Sequence, residues 1–509
     1  MTDGVDDAAL ARRTATSAAV RLDLSDLRLQ IALACLSGLL LAHAYSLEPI
    51  WWTAWLGPAP VLAAAMAAGP ARRFLLGLIT GLLAGTTTFS YHALVSDSTW
   101  LALLILVLRA IGWAAMVGLT VRAWQRWPWA GAVFVLPAAA AALDTMVASI
   151  SPHSSAGSLA YSQMDALPVI QVASIGGAPA IVFLVLSGGS LLGLLLSASV
   201  SGRIARVAAP AAAVVLLAGA SLGFGAWRLA ADGDPAGPSV ALVTADSFRP
   251  PPSSWSAFWS IHGPALNQAA RPGTTVVLPE AAVRLSEGEA DAASRALADF
   301  ASARKAMLVI GMIVESAGKT TNRALVIGPD GASHWYLKQH LVPGFESRIS
   351  AGRDILALDA PLDATGIAIC KDMHFPDLGR AYARAGVRLM LVPAFDFDVD
   401  GRMSARITAL RGVEGGYAVA RAARHGVRSI SDRYGRMLLE QPSESRATSL
   451  ATRVPVPHVG GATVHTRGGW LFGWLCVAVV AGIVLRLARA GRPLAGGKRS
   501  QRRWRRRWG

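Results

Sequence analysis

Three reactive side chains lie in the stretch 232–468, each at the end of an apolar run. Glu280 ends TTVVLPE, Lys338 ends HWYLK and Cys370 ends GIAIC. A glutamate can accept the proton of a thiol, a lysine can stabilise an oxyanion, and a thiolate can attack a carbonyl carbon. A thiol beside a lysine can also be partly ionised near neutral pH. The three residues together are sufficient for acyl transfer through a thioester.

Each of these residues has a simpler explanation when it is taken alone. A cysteine at the end of a strand is commonly a small packed hydrophobe, and Glu280 and Lys338 could be solvated surface charges. The combination favours catalysis, because a binding surface has no need of a thiol, a base and a cation together. His340 and His374 have no ligand-type residues at metal-binding spacing around them, so the sequence predicts hydrogen-bonding roles for them and no metal site.

The elements that must position the reactive residues are short β-rich runs that alternate with helix-like stretches. Runs of Val, Ile and Leu bounded by Gly or Pro are typical of strands buried on both faces. The predicted strands are SVALVTA, TTVVLPE, AMLVIGMIV, RALVIG, GIAIC, LMLVPAF and YAVARAA, and the predicted helices span 255–270, 286–306, 377–385 and 403–414. This alternation predicts a layered α/β domain with catalytic residues at strand ends.

The rest of the chain is too apolar for a soluble protein. Hydrophobic residues make up 53% of the 509 residues and charged residues 16%, and the mean hydropathy is +0.43. Apolar runs long enough to cross about 30 Å of hydrocarbon occupy 29–47, 50–68, 74–95, 101–121, 130–150, 175–200, 207–229 and 470–487. The sequence therefore predicts about eight transmembrane helices, with the α/β domain between the seventh and the eighth.

The distribution of arginine predicts the orientation of this membrane domain. Arginines precede the first run, follow the eighth, and occur after the second, fourth and sixth, whereas the intervening loops carry neither Lys nor Arg. Because Lys and Arg collect in cytoplasmic loops, both termini are expected in the cytoplasm. The predicted domains are a cytoplasmic segment 1–28, a membrane domain 29–231, an extracytoplasmic catalytic domain 232–468, a last transmembrane helix 469–488 and a basic cytoplasmic tail 489–509.

The net charge of +16 could indicate nucleic-acid binding, but ten of the basic residues lie between Arg486 and Arg507. That segment directly follows an apolar run. Contact with anionic lipid headgroups is therefore the favoured explanation, and no nucleic-acid partner is predicted. The three cysteines exclude a disulfide framework, since Cys35 and Cys476 fall inside apolar runs.

The motifs around the reactive residues resemble those of the nitrilase superfamily of carbon–nitrogen hydrolases and acyltransferases. LPEAA contains Glu280, YLKQHLVPGFE contains Lys338 and ICKDMHFPD contains Cys370. The chain is most similar to the apolipoprotein N-acyltransferase branch, whose lysine motif K-x-H-L-V-P, followed closely by a glutamate, is matched by KQHLVP and Glu346. That branch has eight membrane spans with a periplasmic nitrilase domain between the seventh and the eighth.

This resemblance implies an αββα sandwich and a triad of Glu280, Lys338 and Cys370, with Glu346 in a supporting role and Trp255 in substrate binding. It implies a multi-pass protein of the bacterial inner or plasma membrane that needs no cofactor. The implied acyl donor is a membrane phospholipid, and the implied acceptor is the α-amine of the diacylglyceryl-cysteine of a lipoprotein. The oligomeric state is left open.

Two departures from the family pattern leave the acyl acceptor open. Lys371 and Asp372 follow the nucleophile where the family usually has tyrosine and glutamate, and LVPAFDFDVDGRM lacks the usual Asn-Asp-Ala-Trp-Phe stretch. The alternatives are a membrane-anchored amidase, an acyltransferase with another amine acceptor, and a non-catalytic module that binds lipoproteins. A small-molecule transporter is a further class, and it would be expected to carry paired intramembrane charges.

Overall fold

The computed structural model describes residues 23–127, 130–202, 204–230, 234–359, 364–460 and 463–490. The predicted cytoplasmic segment 1–28 and basic tail 489–509 therefore lie almost entirely outside the described residues, as does the predicted boundary at 231 and 232. The described part contains a bundle of apolar helices, called here the membrane part, and a domain of two β-sheets, called the catalytic part.

The membrane part is built from helices long and apolar enough to cross a bilayer. Seven such segments occur in the described residues: Leu27–Tyr45, Pro70–Ser96, Thr99–Arg126, Gly131–Ile150, Ala178–Val200, Ile204–Ala230 and Leu471–Arg489. In chain order, the α-helices are α1 (Leu27–Tyr45), α2 (Trp51–Leu56), α3 (Pro58–Ala67), α4 (Pro70–Ala84), α5 (Phe89–Ser96), α6 (Thr99–Arg126), α7 (Val135–Ile150), α8 (Leu167–Ile170), α9 (Ala173–Gly176), α10 (Ala178–Val200), α11 (Ala208–Ala230), α12 (Trp255–Ala269), α13 (Glu287–Arg304), α14 (Pro376–Arg384), α15 (Gly401–Gly415), α16 (Val464–Gly468) and α17 (Leu471–Ala490). The 3-10 helices are Thr86–Thr88, Ala130–Phe134, Leu159–Gln163, Ile204–Val207 and Cys370–His374.

The second predicted span, 50–68, is divided into the two short helices α2 and α3. Pro58 and Pro60 have no N–H group, so two hydrogen bonds of a continuous helix cannot form. The N–H group of Val61 donates instead to Ser37 Oγ at 2.8 Å. Gly57 between the two helices keeps right-handed helical dihedral angles. The apolar segment is thus present as two helices in series. The other seven predicted spans correspond to the seven membrane-length segments, of which Pro70–Ser96 comprises α4, the 3-10 helix Thr86–Thr88 and α5.

Small residues let the membrane helices approach closely. A Cβ atom at Gly77 would lie 2.5 Å from the Cα atom of Ala114, and one at Gly81 would lie 2.5 Å from the Cα atom of Ala110. The four-residue spacing of these glycines puts both on the face of α4 that contacts α6. Packing of backbone against backbone holds this helix pair together, because lipid provides little hydrophobic drive for helices to associate.

The catalytic part contains two β-sheets. Its strands are β1 (Ala236–Thr244), β2 (Thr274–Val277), β3 (Val283–Ser286), β4 (Met307–Ser316), β5 (Lys319–Ile327), β6 (Ser333–Leu337), β7 (Ile349–Ser350), β8 (Leu356–Leu358), β9 (Thr365–Ile367), β10 (Leu389–Phe395), β11 (Ala418–Arg424), β12 (Val427–Ser431), β13 (Met437–Pro442) and β14 (Thr448–Pro455). The first sheet has the order β14-β1-β2-β4-β5-β6, with β3 beside β4 and β7 beside β5. The second has the order β13-β12-β11-β10-β9-β8. The inner strands of both sheets pair in parallel.

The two sheets face each other across a dry core. Leu242 and Val309 of the first sheet and Leu391 and Ala420 of the second are fully buried in one cluster. Helices α12 and α13 cover the outer face of the first sheet, and α14 covers the outer face of the second. The predicted αββα sandwich and the helical membrane part are therefore confirmed.

Local sequence signals account for where these covering helices begin. The side chain of Ser254 accepts a hydrogen bond from Ala257 N at the start of α12. Ser286 and Glu289 form a reciprocal capping box at the start of α13, which satisfies two N–H groups that have no partner inside the helix. Pro376 occupies the first turn of α14, where a missing N–H group is not needed.

Helix α15 joins the catalytic part to the membrane part. Ile407, Leu410 and Val413 of this helix belong to the same buried cluster as Leu159 and Ile170 of the membrane part. The cluster is continuous across the boundary between the two parts. The ion pair of Arg406 with Asp165 crosses this boundary, and Glu440 of the catalytic part holds the same guanidinium group.

Candidate active site

Glu280 lies just beyond the end of β2, in a tightly packed backbone. Its N–H group donates to Ala394 O at the end of β10, 3.3 Å away. A Cβ atom at Gly311 of β4 would lie only 2.6 Å from the Cα atom of Glu280. A side chain at position 311 would collide with the backbone of Glu280, so glycine is needed there. The close contact of the two backbones fixes the position of the Cα atom from which the side chain of Glu280 extends. The side chain of Glu280 is almost fully buried.

Lys338 follows β6 and is buried with its charge paired. Its Nζ atom lies 2.7 Å from Glu280 Oε1 and 2.8 Å from Glu346 Oε2. Burial alone would lower the pKa of Lys338, but the two carboxylates outweigh it and raise the pKa above its ordinary value. Lys338 therefore remains an ammonium ion at neutral pH, and it can offer positive charge to a developing oxyanion.

Asn322, on β5, is a member of the site that sequence reasoning missed. Its Nδ2 atom donates to Glu280 Oε1 at 2.6 Å and to Glu346 Oε1 at 2.9 Å. The amide of Asn322 and the ammonium group of Lys338 thus each bind both carboxylates, those of Glu280 and Glu346. A signal was available in the sequence, because asparagine is depleted in strands and Asn322 interrupts an otherwise strand-like run.

Cys370 begins the 3-10 helix Cys370–His374, which we call the nucleophile turn. Its φ angle is 47°, in the left-handed region, where a residue other than glycine carries strain of about 1–3 kcal/mol. Its Sγ atom donates to Phe395 O at 3.4 Å. Burial and the charge of Glu280 raise the pKa of the thiol well above its ordinary value, although Lys338 acts in the opposite direction.

The thiol of Cys370 is therefore neutral before substrate binds, which differs from the partly ionised thiol that a neighbouring lysine alone would predict. The difference arises because burial removes the water that would solvate a thiolate. A neutral thiol requires a base to take its proton during attack. Glu280 is suited to this role, because its hydrogen bonds with Lys338 and Asn322 both involve Oε1. Neither of these bonds uses Oε2, the second carboxylate oxygen.

Asp372 ties the nucleophile turn to the loop that carries Lys338. Its carboxylate is fully buried and accepts hydrogen bonds from the N–H groups of Ile369 and His340 at 3.0 and 2.8 Å and from the hydroxyl of Tyr336 at 2.7 Å. The carboxylate that follows the nucleophile is thus an anchor for the positions of Cys370 and Lys338.

Lys371 adds a second connection between the same two segments. Its Nζ atom donates to Leu341 O at 2.8 Å. Burial, together with the nearby ammonium group of Lys338, lowers the pKa of Lys371 to about 8. Lys371, which stands where the family usually has tyrosine, therefore contacts the loop that carries Lys338 and is largely buried.

The structure brings Glu280, Lys338 and Glu346 into direct contact, and the end of β10 links them to Cys370. Ala394 O accepts from the backbone of Glu280, and Phe395 O accepts from the thiol. Trp255, at the start of helix α12, stacks on Phe258 with ring centroids 4.8 Å apart. Its predicted role in substrate binding has no support from these contacts and stays a prediction.

The two histidines of the lysine and cysteine motifs lie close to the site. His340 stacks on Phe375, with ring centroids 3.6 Å apart, and its Nδ1 atom is 3.2 Å from Asp372. His374 ends the nucleophile turn. No cluster of three or more His, Cys, Asp or Glu side chains suited to a metal ion occurs in the part of the chain that the structure describes.

Comparison with known proteins assigns each part of the chain to a family. Residues 37–191 match the family model of the apolipoprotein N-acyltransferase N-terminal domain, and residues 239–473 match that of carbon-nitrogen hydrolase. The chain is 29% identical over 514 residues to an apolipoprotein N-acyltransferase of Geobacter metallireducens, covering 89% of this chain and 95% of that protein.

Similarity to two amidases covers a smaller share of the chain. The human omega-amidase NIT2 is 39% identical over 89 residues, which are 16% of this chain and 32% of that protein. A crystal structure of an amidase from Nesterenkonia sp. aligns with a TM-score of 0.39 and 21% identity, covering 43% of this chain and 91% of the amidase.

The order of the two matched models along the chain agrees with the order of the two parts in the structure. The alignment with the Geobacter metallireducens protein spans both parts. The chain thus combines an apolipoprotein N-acyltransferase N-terminal domain with a carbon-nitrogen hydrolase domain, and it is similar over most of its length to an apolipoprotein N-acyltransferase.

Proposed function

We propose that this protein transfers an acyl chain from a membrane phospholipid to the α-amine of the diacylglyceryl-cysteine at the N-terminus of bacterial lipoproteins. The proposal is supported by the similarity to an apolipoprotein N-acyltransferase. It is supported above all by the cluster of Glu280, Lys338 and Glu346. This cluster lies beside the end of β10, where the thiol of Cys370 donates a hydrogen bond to Phe395 O. A base, a buried cation and a thiol in one place are the groups that acyl transfer through a thioester requires.

In the first half-reaction, Glu280 takes the proton of Cys370 and the sulfur attacks the ester carbonyl of the phospholipid. The negative charge that develops on the carbonyl oxygen is stabilised by the ammonium group of Lys338 and by the backbone N–H group of Lys371. When the tetrahedral intermediate collapses, the ester C–O bond breaks. The lysophospholipid leaves with the proton that Glu280 had accepted, and a thioester remains on Cys370.

In the second half-reaction, the α-amine of the lipoprotein attacks the thioester carbonyl. Glu280 accepts a proton from the amine, the C–S bond breaks, and the proton returns to the sulfur. The products are an amide and the free thiol. Both substrates carry acyl chains, and moving such chains into water would cost about 0.8 kcal/mol for each CH₂ group. This is a physical reason for a catalytic part that is attached to membrane helices.

The decisive experiment separates acyl transfer from hydrolysis and from mere binding. Purified protein is incubated with vesicles of phosphatidylethanolamine and phosphatidylglycerol, and its intact mass is measured before and after addition of a diacylglyceryl-cysteine peptide. The expected result is a mass increase of one acyl group and its transfer to the peptide. Release of free fatty acid with no peptide product would favour a hydrolase. Absence of both the adduct and the product would favour a binding module.

We further propose that the chain is a multi-pass protein of the inner membrane with an extracytoplasmic catalytic part. This orientation follows from the arginines that precede α1, lie in the first turn of α4, lie in the last turns of α6 and follow α10. Reporter tags inserted near Gly460 should therefore be accessible from outside the cytoplasm. Tags inserted between α10 and α11, and at either terminus, should be accessible from the cytoplasm. A cytoplasmic signal from the tag near Gly460 would contradict the proposed orientation.

A further inference from the structure

The connection between α7 and α10, called here the loop although it includes the short helices α8 and α9, extends from the membrane part to the nucleophile turn. Ser155 of this loop donates from Oγ to the carbonyl oxygen of His374, the last residue of the turn, at 2.7 Å. Ser155 Oγ is also 2.7 Å from the hydroxyl oxygen of Tyr161. Both side chains are buried. A hydroxyl pair of the membrane part thus contacts the end of the turn opposite to Cys370.

The direction of these hydrogen bonds is fixed by the carbonyl of His374, which can only accept and therefore takes the single proton of Ser155 Oγ. Arg411 of helix α15 begins the series. An arginine can only donate, and Arg411 donates to the hydroxyl oxygen of Tyr161 at 3.2 Å. Tyr161 then uses its own proton for Ser155, and Ser155 uses its proton for the carbonyl of His374. The result is a one-way series of buried hydrogen bonds, which we call the hydroxyl relay: Arg411, Tyr161, Ser155 and His374.

The hydroxyl relay is anchored at the start of a membrane helix. Arg411 forms a fully buried ion pair with Glu414 at 2.9 Å. The other carboxylate oxygen of Glu414 accepts from the N–H group of Ala178, the first residue of α10, also at 2.9 Å. The position of Arg411 is therefore coupled to the membrane part at two points, through Tyr161 and through Ala178.

The nucleophile turn needs support at both ends because its first residue is strained. Asp372 fixes the front of the turn by binding the N–H groups of Ile369 and His340. Those contacts belong to the catalytic part alone. The carbonyl of His374 is held from the opposite side by Ser155. Without this contact, the turn could relax toward the ordinary backbone region and move the sulfur of Cys370.

We propose that Ser155 and Tyr161 of the membrane part are positioning residues for Cys370. They touch neither the thiol nor its partners Glu280 and Lys338 among the contacts of the described residues, so they act through the backbone of the nucleophile turn. The inference rests on the proposed role of Cys370 as nucleophile. It goes further by giving the membrane part a share in catalysis beyond holding the enzyme in the bilayer.

The test compares Tyr161→Phe and Ser155→Ala with the parent enzyme. Deuterium exchange of the peptide that covers the nucleophile turn should become at least about threefold faster in both variants, since a local support has been removed. The rate constant of thioester formation should fall about tenfold, with KM for phospholipid unchanged. The double variant should be no slower than the slower single variant, because the two hydroxyls act in series. Ser155→Thr, which keeps a hydroxyl, should restore the parent rate.

The matched control is Ser174→Ala, in the same loop. Ser174 is buried, and its Oγ donates to Gln171 O at 2.7 Å, within the loop itself. This variant should leave both the exchange of the turn and the rate of thioester formation unchanged. Exchange in the β4 peptide serves as the internal reference, because global unfolding would accelerate it as well.

Parent-like exchange of the turn in Tyr161→Phe and Ser155→Ala would overturn the inference. Faster exchange of the turn in a parent protein that forms no thioester would show that the hydroxyls hold the turn and would overturn the proposed role of Cys370, since exchange does not depend on the chemistry. Faster exchange with a parent-like rate of thioester formation would overturn the inferred share in catalysis. Failure of the positioning inference and failure of the proposed function are therefore distinguished by different measurements.

Discussion

Replacing Cys370 with alanine should abolish acyl transfer while leaving the protein folded and inserted. The change removes the nucleophile and leaves at most a small cavity, which should destabilise the protein by about 1 kcal/mol. Cys370→Ser keeps the size of the side chain, but a serine hydroxyl is a much weaker nucleophile than a thiol. Neither variant should form an acyl adduct by intact mass or transfer an acyl chain to a diacylglyceryl-cysteine peptide.

The experiment requires a parent in which Cys35 and Cys476 are already replaced by alanine, so that any adduct is assigned to Cys370 alone. This parent should acylate at the rate of the unmodified protein. If Cys370 were only a packing residue, alanine would be nearly silent in activity, and serine would be slightly worse because it buries a hydroxyl. Measurable transfer by Cys370→Ala in this background would end the thioester mechanism.

Replacing Glu280 with glutamine should slow thioester formation at least about a hundredfold. Glutamine has the same shape and can still accept hydrogen bonds through its side-chain oxygen, as Glu280 Oε1 does from Lys338 and Asn322. It cannot accept the proton of Cys370. The effect should be large because the thiol is neutral at rest, with its pKa raised by burial and by the charge of Glu280 itself. Single-turnover measurement of the acyl adduct gives the rate constant.

Glu315→Gln is the matched control for this change. Glu315 lies at the end of β4, forms an exposed ion pair with Arg284, and should tolerate the substitution, since exposed pairs contribute little to stability. Thermal unfolding of both variants shows whether the fold is kept. A folded Glu280→Gln enzyme that acylates Cys370 at the parent rate would show that another group removes the proton.

The features that could be predicted from the sequence are those encoded over short stretches of chain. Apolar runs gave the membrane helices, and runs such as LMLVPAF gave the buried strands, because local periodicity and burial follow directly from residue type. The position of Pro58 and Pro60 inside one run also carried the signal for its division into α2 and α3. The antiparallel strands β12, β13 and β14 were not predicted, because each mixes polar and apolar residues and has no continuous hydrophobic run.

The candidate site was predictable in part for the same reason. Glu280, Lys338 and Cys370 each end an apolar run, whereas Asn322 contacts Glu280 across 42 positions of sequence and Ser155 contacts His374 across 219. Contacts over such separations depend on the packing of whole elements, and the sequence marked Asn322 only as an asparagine beside a strand-like run. The raised pKa of the Cys370 thiol could not be predicted from the sequence, because the degree of burial that dominates it is a property of the folded protein.

The contact between Glu414 and Ala178 has a consequence for the order of assembly during synthesis. The two residues are 236 positions apart, so helices α1 to α11 leave the ribosome before Glu414 has been made. Throughout that interval, the N–H group at the start of α10 lacks the carboxylate that caps it in the finished protein. The cap is supplied only when helix α15 folds onto the membrane part. The start of α10 is therefore capped only after α15 has been made, and premature termination before Glu414 leaves this helix without its native cap.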